Sequence, residues 1–150
     1  MNFTMNSFGI LQNIRIVYKD VSMEIKIFIL IVMVFCHTVA DYNLQGWLAS
    51  AKQKSYWEEN ASESMYKYDY IMALIMHSIS WSSMIMFPLM IYQLYASNSL
   101  IMTFIIFIVN IFLHAQIGDM KANAKQINLI QDQLMHLVCI FGSWFLVLMI

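Results

Sequence analysis

Charge is scarce in this chain. Lys, Arg, Asp and Glu make up 11% of its 150 residues, against about 25% in an ordinary soluble domain. Proline occurs once and glycine four times, which argues against a turn-rich β architecture and leaves room for long uninterrupted helices. The two cysteines, Cys36 and Cys139, lie inside apolar runs, so no disulfide framework is expected. A net charge of −1 and the absence of a basic stripe give no reason to expect a nucleic-acid partner. What is abundant is apolar: 61% of the residues are hydrophobic and the mean hydropathy is +0.64. A chain of this size cannot hide so much apolar surface in one soluble core, so the surplus must face lipid. The sequence predicts an integral membrane protein.

Four apolar segments follow one another. The first covers Ile25 to Ala40 and continues into a polar helical turn at Asp41–Gln45; the second runs from Tyr70 to about Tyr95. Pro88 lies within the second and is expected to kink it, because proline lacks a donor and clashes with the preceding turn. The third runs from Leu100 to Leu113, after a polar turn at Ser97, Asn98 and Ser99, and the fourth from about Leu134 to Ile150. The first, third and fourth fall short of the ~20 residues a helix needs to cross a hydrocarbon core. Adding Asp41–Leu48, His114–Asp119 and Gln131–Gln133 restores full spans, which implies that these polar residues are half-buried. Segment lengths and the lack of apolar/polar alternation exclude a membrane β-barrel. The expected fold is all-α: a polytopic domain of four transmembrane helices over residues 25–150, preceded by an extension at 1–24. Within that extension Phe8–Val17 is apolar but broken by Gln12, Asn13 and Arg15, the pattern of a short interfacial helix. Met23 is an alternative start, and no cleavable signal is expected.

Four spans place the loops at 42–69 and 115–130 on one side. Those loops carry Lys52, Lys54, Lys67, Lys121 and Lys125, against Arg15, Lys19 and Lys26 opposite, which favours a cytoplasmic position for the two loops. Tyr56, Trp57, Tyr66 and Tyr68 give the first of them an interfacial aromatic rim.

The same topology gathers seven ionisable groups near one membrane face: His37, Asp41, His77, His114, Asp119, Asp132 and His136. Ionisable groups are costly within a bilayer and mark partners, an ion or a water-filled cavity. His37 and Asp41 are four residues apart, as are Asp132 and His136, so each pair shares a helix face and can reach one ion. Gln45 extends the first stripe, and Asn110, four before His114, is placed to orient it. Imidazole with carboxylate is the ligand set of zinc, manganese and iron. His37, Asp41, His114, Asp132 and His136 are therefore the expected metal ligands, with His77 a ligand or an acid–base group and Asp119 a second catalytic candidate. The alternatives are a hydrogen-bonded packing network or a proton path.

At these residues the chain resembles a bacterial and phage membrane family catalogued as domain of unknown function 3307. The resemblance rests on HTVADYNLQ at 37–45, a lone His77 in the second span, HAQIGDMK at 114–121 and DQLMH at 132–136, and covers about residues 25–145. It implies a small polytopic helical protein of a bacterial inner membrane with polar motifs at one face, and it names no reaction. In the family pattern an acid follows the third-motif His by four residues. Here that position is Gly118 and the acid is Asp119, about 140° around a helix from His114. Asp119 is expected at the site only if the helix ends or unwinds near Gly118.

The function expected from these residues is a membrane-embedded, divalent-metal-dependent, hydrolase-like protein. Lys52 and Lys121 would meet an anionic interfacial substrate such as a lipid phosphate, unless they are ordinary interfacial lysines. The other expectations are a small transporter or proton/ion conduit, in either case as a possible homo-oligomer, and a non-enzymatic membrane accessory protein.

Overall fold

The computed structural model describes residues 22–61, 63–96 and 100–149. The expected interfacial helix at Phe8–Val17 lies outside them. The described residues are helical, with no strand. Helix α1 runs Met23–Thr38 and passes without a break into a wider π turn at Val39–Asn43. Two short helices, α2 (Leu48–Ala51) and α3 (Lys54–Asn60), form the first loop. Then come three long helices: α4 (Asp69–Tyr95), α5 (Leu100–Ala122) and α6 (Leu129–Leu148).

Among the described residues, four segments are long and apolar enough to cross a membrane: Met23–Asn43, Ser64–Tyr95, Leu100–Ala122 and Leu129–Leu148. The polar extensions to the first, third and fourth spans are thus helical, as their shortness required. The first ends earlier than Leu48, because Gly46 takes a left-handed backbone (φ 50°) that turns the chain out of the helix. Pro88 lies within α4, which runs past it unbroken. Helix α6 begins further upstream than Leu134 because Asn128 and Gln131 form a capping box, each side chain bonding the other's backbone N–H.

The helices run up and down, with α4 packed against α1 and α5, and α6 closing the bundle against α1 and α5. Their outer faces are apolar and open: Phe35 is 65% exposed, Phe112 66% and Val138 71%. In water such faces would associate; around a helical bundle whose backbone bonds are all internal they form a lipid surface. Inside, Met33, Trp81, Ile85, Met86, Leu89 and Ile140 are fully buried. Gly118 sits where α5 meets α4: a Cβ there would lie 3.1 Å from the Leu74 side chain. The glycine therefore serves a close helix approach, and α5 continues past it to Ala122.

Candidate metal centre

The end of α1, the start of α4, the end of α5 and the start of α6 meet at one end of the bundle. Four histidines converge there, one from each long helix, and none is more than 4% exposed. The His114, Trp81 and His136 rings form a compact triangle, with His114 stacked on Trp81 and on His136 at centroid distances of 4.2 and 4.5 Å and Trp81 5.2 Å from His136. His77 lies 4.9 Å from His114, and His37 5.4 Å from His136.

Asp41 is at the centre. Its π turn places the carboxylate between imidazoles, with Oδ1 3.6 Å from His77 Nε2 and Oδ2 3.6 Å from His136 Nδ1. Two side-chain amides also donate to it, Gln45 Nε2 to Oδ1 and Gln133 Nε2 to Oδ2, each at 2.9 Å. Among the described residues, only these histidines approach Asp41 as ion-pair partners, although its side chain is 6% exposed. Asp132 is treated differently. Lys121 Nζ reaches its Oδ2 at 2.5 Å, Gln133 Nε2 donates to the same oxygen at 3.0 Å, and His136 Nε2 stands 3.9 Å from Oδ1.

Two groups of three residues bring potential ligand atoms within 4.8 Å of one another: Asp41 with His77 and His114, and Asp41 with His37 and His136. Zinc bonds to N and O are ~2.0–2.2 Å long, so a small side-chain adjustment lets either group share one ion. His77 Nε2, His114 Nδ1 and both ring nitrogens of His136 are buried without a hydrogen-bond partner. Buried polar atoms normally have partners, so four such nitrogens in one place are the unusual feature of this end of the bundle.

Of the sequence-derived candidates, the structure brings together His37, Asp41, His77, His114 and His136, with Asp132 at the edge. Asp119 stays apart. Helix α5 does not break at Gly118, so Asp119 is turned away and accepts from Asn123 Nδ2 at 2.8 Å. Nor does Asn110 orient His114: its amide donates to Ser143 Oγ on α6 at 2.7 Å. Lys121 is paired with Asp132, and Lys52 Nζ donates to Gln45 Oε1 at 3.2 Å. Burial pushes the Lys52 ammonium below the usual lysine range, with the Asp41 carboxylate pulling the other way.

Sequence reasoning missed Trp81, and valued Gln133 only as part of a span. Trp81 lies four residues after His77, on the same face of α4, and Gln133 lies within the DQLMH motif, so a signal was present for both. Asn123 was also missed. It fastens the first loop to the end of α5, accepting from the Lys54 N–H at 2.8 Å and donating to the Lys52 carbonyl at 3.2 Å.

Comparison with protein-family models, with curated proteins and with solved structures found no match.

Proposed function

We propose that this is a membrane-embedded divalent-metal protein whose ion is held at Asp41 by imidazoles of the surrounding helices, and that it works as a hydrolase-like enzyme at one membrane face. The observation that carries the reading is the charge at Asp41. A carboxylate this buried is costly unless a cation accompanies it, and Lys121 is committed to Asp132. Four imidazoles surround the place where that cation belongs, several with lone pairs that nothing in the protein uses. Imidazole and carboxylate suit zinc, manganese or iron.

A bound ion of this kind supplies Lewis acidity that activates water near neutral pH. The protein's own contribution is position. Gln45 and Gln133 hold the carboxylate, Trp81 and His136 hold the His114 ring by stacking, and the apolar packing beneath keeps bulk water out. His136 lies between the Asp41 and Asp132 carboxylates and can take up a proton at either ring nitrogen. The substrate class that fits is anionic and interfacial, such as a lipid phosphate. Lys52 and Lys121 stand close to the cluster, so exchange of their present partners, Gln45 and Asp132, for a phosphate would place the anion beside the ion. We read the chain as a bacterial inner-membrane protein with loops 42–69 and 115–130 in the cytoplasm, and keep its resemblance to domain of unknown function 3307 on the four motifs alone. Homo-oligomerisation is compatible with this reading but plays no part in it.

Metal analysis of detergent-purified protein tests the proposal. Wild type is expected to carry, or to take up, one zinc, manganese or iron per chain, and Asp41→Ala to lose it while keeping its helical circular dichroism. A folded wild type that neither contains nor accepts any of the three would defeat the metal reading and favour a proton shared between Asp41 and the histidines.

A further inference from the structure

Of the two groups that meet at Asp41, hydrogen bonding removes one from contention. An indole N–H can only donate, and Trp81 Nε1 lies 2.9 Å from His37 Nδ1, so that nitrogen is the acceptor. The Gln133 amide is fixed at its other end. Its Nε2 faces Asp41 Oδ2 and Asp132 Oδ2, and carboxylates only accept. Gln133 Oε1 therefore faces His37, and His37 Nε2, at 3.1 Å, must carry the proton and donate. Both nitrogens of His37 are spent within the protein. No lone pair is left for an ion.

His77 and His114 are in the opposite condition, since His77 Nε2 and His114 Nδ1 are buried without partners. Each of these residues is 2% exposed, so water does not satisfy them from outside. Together with Asp41 they form the group of three in which each imidazole keeps a ring nitrogen without a partner.

We infer that the ion is bound by Asp41, His77 and His114, and that His37 is a positioning residue in a chain running from Trp81 through His37 and Gln133 to the Asp41 carboxylate. This rests on the metal reading proposed above. It changes the part given to His37 by motif spacing, which paired it with Asp41 as a ligand, and takes the ligand alternative for His77. The chain has one physical purpose: Trp81 fixes the His37 tautomer, His37 fixes the Gln133 amide, and Gln133 fixes the carboxylate. Outer partners of this kind typically change metal affinity by ~10–100-fold without entering the coordination shell.

Cobalt(II) is a suitable probe because its visible absorption and X-ray absorption report the coordinating atoms. The expected result is two imidazole ligands in wild type and still two in His37→Gln, which keeps one acceptor and one donor, with unshifted visible bands and affinity lowered by about 10–100-fold. Trp81→Phe, which keeps an aromatic ring but loses the indole N–H together with part of the ring volume, is expected to keep two imidazoles with lowered affinity. His77→Ala and His114→Ala should each lose one imidazole from the count. Loss of an imidazole in His37→Gln, or an unchanged count in His77→Ala, would overturn the assignment. Failure of wild type to bind cobalt, zinc, manganese or iron would instead defeat the metal reading itself, and the two failures are distinct.

Discussion

At one end of the bundle the four long helices meet mainly through nitrogen and oxygen; in the layer next along they meet mainly through carbon. The first region holds four imidazoles, two carboxylates, Gln133 and Trp81 within reach of one another. Further along the same helices Ile85, Met86, Leu89 and Ile140 are fully buried, and Ile106 nearly so. On α4 that apolar stretch separates His77 from Gln93, and on α6 it separates His136 from the Val147 carbonyl to which Gln93 donates. The polar end thus has a specific hydrogen-bonding plan, whereas the apolar end is close packing beneath it. This one-ended arrangement favours a site reached from a single membrane face over a path through the bundle.

The sharpest way to stress the difference is to unbalance the polar end. Lys121→Met leaves Asp132 buried without its cation. Breaking a buried pair costs about 3–5 kcal/mol, and because the Lys121 side chain is itself 36% exposed the cost is expected at the lower end of that range. The double variant Lys121→Met/Asp132→Asn should recover most of that loss, because the uncompensated charge is gone. Unfolding in mixed detergent micelles, followed by tryptophan fluorescence, measures both. Next comes the apolar end. Leu89→Ala opens a cavity in a fully packed layer and is expected to cost about 3 kcal/mol, with metal content unchanged. A fall in its metal content would mean that the two ends are not separable. The smallest effect is expected at a neutral polar pair beyond the cluster. Asn110→Ala removes the bond to Ser143 and should cost about 1 kcal/mol by the same unfolding measurement, again with metal content unchanged.

Much of the architecture was legible because lipid leaves a chain few choices. Segment length and hydropathy located the four spans, and their shortness showed that the polar ends belonged to the helices. The order of the spans then brought four histidines to one end without any knowledge of contacts. What was not legible depended on which neighbour wins a side chain. Four-residue spacing joined Asn110 to His114, but Ser143 from another helix lies closer to its amide. Gly118 looked like a place for α5 to unwind, and serves instead to let α5 approach Leu74. Spacing also made His37 and Asp41 a ligand pair. It could not show that an indole from α4 and an amide from α6 had already taken both His37 nitrogens.

The Asn123 clasp bears on time rather than on affinity. The imidazoles around Asp41 are almost fully covered, and the Asn123 amide ties the first loop to the end of α5. An ion bound there would exchange only when the loop or the helices part, and such openings are slow compared with diffusion. Loading of an empty site would then be governed by time of incubation more than by metal concentration.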